Sequence, residues 1–301
     1  MQMAARPGNA RRATAIIAAI AVLAVFLSLA SGRTQARQGC ADLVLETVAL
    51  PDPVSGRHYD IQVSIPRGHA DDPDRRWPLL ILADGPRAFP GLSCAVRRLA
   101  DKGALVQEPV VIGLSYAAGE DHNASRNRDY TPVARGPDAR VYGGAAAYQT
   151  YLRSIVIPHV EAQYRTDPAQ RLFWGHSYGG LLGLHVLLTE PGLFHAYLIG
   201  SPSIWFADRA ILTFENALAR RGVPLDAVLL LHVGGLEAPG PETHPRMRDM
   251  IADMEELASR LRGRGYPGLR MQTAILPGKD HVGVIGPGFS WALIEALGAD
   301  R

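Results

Sequence analysis

Beyond its first forty residues the chain alternates short, nearly continuous apolar runs with segments whose apolar residues recur at helical spacing. Apolar runs bounded by Gly, Pro, Asp or Ser read as strands, and an i, i+3, i+4 recurrence reads as helix. On that basis strands are predicted in LVLETVAL from Leu43, HYDIQVSIP from His58 and PLLILADG from Pro78, followed by a helix through LSCAVRRLADKG. A strand EPVVIGLSY, a long polar loop over residues 117–142 and a helix over 145–164 come next. The strand RLFWGHS then runs into a helix YGGLLGLHVLLTE. Three more strands, AYLIGSPS, AVLLLHVGG and LRMQTAILPG, alternate with helices over 209–220, through MRDMIADMEELASRLRG and through FSWALIEALG. Two opening strands followed by strand–helix alternation predict an α/β fold, with a mainly parallel sheet and helices on both faces. No Pro/Gly/Ser-rich linker divides the chain after residue 40, so one domain over 37–301 without a separate cap is expected.

Residues 1–36 stand outside this pattern. They hold Arg6, Arg11, Arg12 and Arg33 and no acid, and residues 13–30 (ATAIIAAIAVLAVFLSLA) carry no charge. A basic stretch, an apolar run and small residues at Ser28/Ala30 and Thr34/Ala36 form an export signal. Eighteen uncharged residues also reach the lower bound for a spanning helix, so an uncleaved inner-membrane anchor is the alternative. Either reading takes the domain out of the cytoplasm, to the periplasm or beyond.

Composition adds mainly exclusions. With 47% hydrophobic and 20% charged residues, 31 Gly and 22 Pro in 301, the chain is neither collagenous, disordered nor a multi-span membrane protein. The formal charge of +2 comes from 31 basic against 29 acidic residues; without the four N-terminal arginines it is 27 against 29, or −2. No run of one sign offers a footprint for nucleic acid, so a small molecule is the expected partner. The two cysteines, Cys40 and Cys94, would meet oxidising conditions after export, and two readings stay open: one disulfide, or two unpaired thiols.

Gly175-His176-Ser177-Tyr178-Gly179 is a G-x-S-x-G set between a predicted strand and a glycine-opened helix. That is the setting of a nucleophile elbow, in which small residues let strand and helix pack while the serine sits on the bend. A serine hydroxyl needs a base, and the motif places the acid and then the histidine later in the chain. His281, in the loop KDHVGV after the last strand, fits the base; His176 is expected to point elsewhere. The first carboxylate after AVLLLHVGG is Glu237, the expected acid, with Glu242 as runner-up and a surface glutamate as the bland alternative. Asp249 and Asp253 belong to the next helix, and Asp280 is expected to point away from the ring. The oxyanion would be held by the Tyr178 amide and by Gly85 or Asp84 in LADGPRAF, since Pro86 has no N–H. This chemistry requires no metal or organic cofactor, and the histidines show no ligand spacing.

Several stretches in register resemble the esterase branch of the α/β-hydrolases that contains enterobactin-type siderophore esterases. RRWPLLILADGPRAF, RNRDYTPV, IVIPHVEAQYRTDPAQRLFWGHSYGGLL, SPSIWF, VGGLE and LPGKDHVGV carry the likeness over nearly the whole mature length. It implies an α/β-hydrolase fold, a serine esterase with Ser177 and His281 as nucleophile and base, Glu237 at the acid position, and a siderophore ester as substrate. It also implies that Arg126 and Arg128 hold an anionic or polyphenolic substrate, a role suited to the planar guanidinium; the alternative is an Arg–Asp pair bracing the loop. Trp205, at a strand's end, walls the cleft or serves as an ordinary core aromatic. Three other functions remain open: an acyltransferase of the same fold, a short-chain acyl esterase, and a non-catalytic siderophore-binding protein.

Overall fold

The computed structural model describes residues 40, 43–135, 141–241, 243 and 248–298. The expected export segment and Glu242 lie outside the described residues. Leu43–Arg301 forms one compact unit.

The strands are β1 (Val44–Ala49), β2 (Asp60–Ile65), β3 (Trp77–Leu82), β4 (Val110–Leu114), β5 (Thr166–His176), β6 (Ala196–Gly200), β7 (Ala227–Gly234) and β8 (Leu269–Leu276). They build one sheet in the order β1-β2-β4-β3-β5-β6-β7-β8, antiparallel at β1/β2 and β2/β4 and parallel from there on. β3, β4 and β6 are buried along their whole length, as expected for parallel strands covered on both faces. Alternate side chains feed two cores. Leu79 and Ile81 belong to one. Leu80 and Leu82 belong to the other, where Phe89 of α1 (Gly85–Asp101) and Phe289 and Leu293 of α8 (Ile285–Leu297) meet them.

The predicted polar loop over 117–142 contains a helix, α2 (His122–Tyr130). Its N-terminus is capped by the Asp121 carboxylate, which accepts from the Ala124 amide at 2.9 Å. Its buried residues are Ser125, Asp129 and Tyr130, so no apolar stripe announced it. The predicted helix over 145–164 runs as α3 (Ala145–Tyr151), a π-helical turn and α4 (Ile157–Tyr164). Then come α5 (Tyr178–Thr189), α6 (Ile211–Arg221) and α7 (Met250–Arg264). α1 and α8 each begin about a turn or two before the predicted start, because Pro86 and Pro287 fit the first turn of a helix, where no N–H is needed. Both cysteines of the chain, Cys40 and Cys94, are disulfide-bonded. Among the described residues no helix is long and apolar enough to cross a membrane.

Candidate active site

β5 ends in Gly175 and His176, and Ser177 turns the chain into α5 with φ 59° and ψ −118°. A serine in that region carries strain of about 1–3 kcal/mol, and the surroundings must hold it. The Ser177 amide donates to Gly200 O at 3.0 Å, and its carbonyl accepts from Leu181 and Ser203 at 3.0 and 3.1 Å. A Cβ on Gly175 would stand 2.1 Å from Gly179 O, so strand and helix close on each other only with glycine there. The Ser177 hydroxyl lies 3.3 Å from that of Ser203.

Opposite, the loop after β8 presents His281, whose Nδ1 is 2.5 Å from Glu237 Oε1. Glu237 follows β7 and is buried; its other oxygen accepts from the Ser201 hydroxyl at 2.5 Å and the Gly234 amide at 2.6 Å. Burial alone would raise its pKa, but the bonds from His281, Ser201 and Gly234 outweigh it and hold the carboxyl below its ordinary value. Ser177 and His281 line one cleft of about 310 Å³, together with Asp84, Arg87, Arg126 and His176. Asp280, expected to face away, accepts from the Gly283 amide, and Asp249 caps α7.

The loop after β3 carries the residues expected on the oxyanion side. Asp84 stands in the left-handed region (φ 57°, ψ 40°), and its amide donates to the Tyr130 hydroxyl at 3.0 Å, which occupies one of the two expected donors. Gly85 is the first residue of α1 and Tyr178 the first of α5, so both amides belong to the set a helix leaves unpaired. A Cβ on Gly179 would stand 3.2 Å from Asp84 Oδ2, so this loop abuts the start of α5.

Three expected substrate contacts fare differently. Arg126 lines the cleft, yet its guanidinium is bound to Asp84 at 2.6 and 2.8 Å, with Nη2 also donating to His176 O at 3.3 Å. Arg128 is not among the cleft residues: it pairs with Glu120 and, at 2.8 Å, with Asp129, so it braces α2. Trp205 borders a second cavity of about 460 Å³, with Arg248 4.7 Å over its ring and Tyr178 6.0 Å away. His176, expected to point elsewhere, lies 4.5 Å from the His281 ring, centroid to centroid. Sequence reasoning also missed Asp84 as the partner of Arg126; the signal was a lone acid followed by Gly-Pro at a strand's end.

A strained serine between strand and helix, facing a histidine bound to a buried acid on a sheet of this order, defines the α/β-hydrolases. Residues 53–272 match the model of the family described as "Putative esterase". The ferri-bacillibactin esterase BesA of Bacillus subtilis (strain 168) is 31% identical over 260 residues, 81% of this chain and 86% of the relative. The siderophore enterobactin esterase of Emericella nidulans is 30% identical over 268 residues, 78% of this chain and 88% of the relative. The solved structure of the siderophore hydrolase EstA from Aspergillus nidulans matches with a TM-score of 0.73 at 27% identity, over 85% of this chain and 94% of that one. The chain belongs to this esterase family, has the α/β-hydrolase fold and is an ester hydrolase.

Proposed function

We propose that this is an exported serine esterase acting on siderophore esters, with Ser177 as nucleophile, His281 as general base and acid, and Glu237 as the acid that orients it. The observation that carries the reading is the 2.5 Å contact of His281 with buried Glu237 beside the strained Ser177. Glu237 fixes the tautomer with hydrogen on Nδ1, which leaves Nε2 to take the serine proton. Ser177 Oγ attacks the ester carbonyl, and the tetrahedral oxyanion forms between the Gly85 and Tyr178 amides, near the Arg126 guanidinium. His281 returns the proton to the leaving alkoxide, and water then resolves the acyl-enzyme by the same route.

The substrate class is supported by the relatives, whose names are those of siderophore esterases. With Arg126 paired to Asp84, it is Arg87, bonded to the neutral Asn123, whose charge suits an anionic or polyphenolic arm in the cleft. A cleft of about 310 Å³ takes one arm of a multi-arm ester, and the cavity at Trp205 offers space for another. Export is supported by the apolar residues 13–30 behind a basic stretch, and by cysteines that are both disulfide-bonded, which suits an oxidising compartment.

The test is turnover of p-nitrophenyl acyl esters of graded length against ferric and iron-free catecholate trilactones. The trilactones should win in kcat/KM. A wide preference for simple esters would remove the siderophore reading and leave a general esterase.

A further inference from the structure

Three positions fall in one row across the sheet: His176 of β5 pairs with Gly200 of β6, which pairs with His232 of β7. Residues opposite one another in a sheet point to the same face, so two imidazoles flank a position with no side chain. A Cβ on Gly200 would stand 2.7 Å from His232 Nε2 and 3.0 Å from His176 Nδ1. Glycine therefore makes the room in which the His176 ring settles. On its other side that ring meets His281, with centroids 4.5 Å apart and planes tilted by 44°.

His281 has little else to fix its plane. Its Nδ1 is tied to Glu237, but its side chain is 41% exposed, and the neighbouring Val282 is exposed as well. Among the described residues, His176 makes the one aromatic ring contact that His281 has. We infer that His176 is a positioning residue for the general base: its flat ring sets the plane of the His281 imidazole, and with it the direction in which Nε2 meets Ser177. The inference rests on the serine-esterase reading above.

The charge state of His176 is suited to this task. When His281 takes the serine proton it becomes a cation, and a second cation stacked on it would oppose the step. Burial holds His176 neutral, reinforced by the neighbouring His281, His232 and Arg126, with only the His281 backbone acting the other way. Its backbone is held too, by Arg126 Nη2 on its carbonyl. One residue thus joins the nucleophile's strand, the base and the arginine of the cleft.

The experiment compares His176→Phe, which keeps a flat face, with His176→Leu, which fills similar space without one. The readouts are kcat and KM on p-nitrophenyl acetate, the rate at which a fluorophosphonate labels Ser177, and a thermal melt. Loss of ring alignment should lower kcat and labelling about ten-fold or more in the Leu variant, with KM within about two-fold, since small misplacements cost up to about a hundred-fold. The Phe variant should recover most of the loss. Equal kcat in the Leu variant and wild type overturns the inference, as does an equal fall in both variants. If the Leu variant does not fold, His176→Gln takes its place with the same two outcomes. Wild-type protein that takes no label overturns the nucleophile reading itself, and the inference with it.

Discussion

Asp84 receives both the Nε and Nη2 hydrogens of Arg126, at 2.6 and 2.8 Å, and this fork fastens α2 to the left-handed residue that opens α1. The Tyr116 hydroxyl donates to the same carboxylate at 2.6 Å. Both charged side chains are largely buried, at 13% and 8% exposure. The pair therefore holds the wall of the cleft beside the start of α1 in shape, and its charges are costly to separate.

Arg126→Ala leaves the buried Asp84 carboxylate uncompensated, a change that costs about 3 kcal/mol or more. For a domain of this size the melting temperature should fall by about 6–12 °C. Activity should fall with it, and Arg126→Lys should recover only part, because an ammonium cannot reproduce the two-pronged geometry. Thermal melts and kcat of both variants check this; a Lys variant equal to wild type contradicts it.

Ser177→Ala should abolish fluorophosphonate labelling and lower turnover by about 10³-fold or more. Glu237→Gln keeps the shape but loses the charge behind His281, and should lower kcat by about 10³–10⁴-fold with little change in KM. Steady-state kinetics on a chromogenic ester separate the two parameters. A Gln variant within a few-fold of wild type would show that Glu237 is not the orienting acid.

Stability should decline on the acid side in two stages. His185 and His232 are buried with pKa values held down to about 4 by burial, while in the unfolded chain they titrate near 6.5. Between those values the unfolded state binds more protons, so stability falls as pH drops from about 6.5 to 4. Glu237 works in the same direction further down: its folded pKa is lowered, so its contribution is complete above about 4.5 and is lost as pH falls through the folded value. Urea midpoints at pH 7, 5.5 and 4.5 should fall in that order. Equal midpoints at pH 7 and 5.5 would contradict the neutral burial of the two histidines.

Two glycine-to-alanine changes should have opposite signs. A Cβ at Gly175 would meet Gly179 O at 2.1 Å and Gly179 C at 2.3 Å, backbone atoms that cannot give way, so Gly175→Ala should fail to yield folded enzyme. Gly91 lies inside α1 with nothing within 4 Å of its added Cβ, and Gly91→Ala should stabilise by up to about 1 kcal/mol through helix propensity. Soluble yield and melting temperature report both.

The inner strands β3, β4 and β6 were legible because burial on both faces writes them as uninterrupted apolar runs, and Ser177, Glu237 and His281 could be picked out as candidates because each follows a strand end in a set order. The division of labour between Arg126 and Arg128 was not. Two residues apart on α2, they face different directions. Which of them meets the cleft is decided by Asp84, 42 residues away on another strand's end. The contact of His176 with His281 was equally hidden, because it depends on the register that brings β5 and β6 together over Gly200.

Glu237 is secured independently of the segment that follows it. Its side chain is bonded to Ser201 beyond β6 and to Gly234 at the end of β7, and its carbonyl accepts from the Met250 amide at 2.9 Å at the start of α7. Both ends of the stretch 238–249 are thereby pinned to the sheet and to α7, whatever lies between. Within it Arg248 lies 4.7 Å over the Trp205 ring, so exchanging Arg248 would reshape the cavity at Trp205 while the bonds that hold Glu237 to Ser201 and Gly234 stay in place.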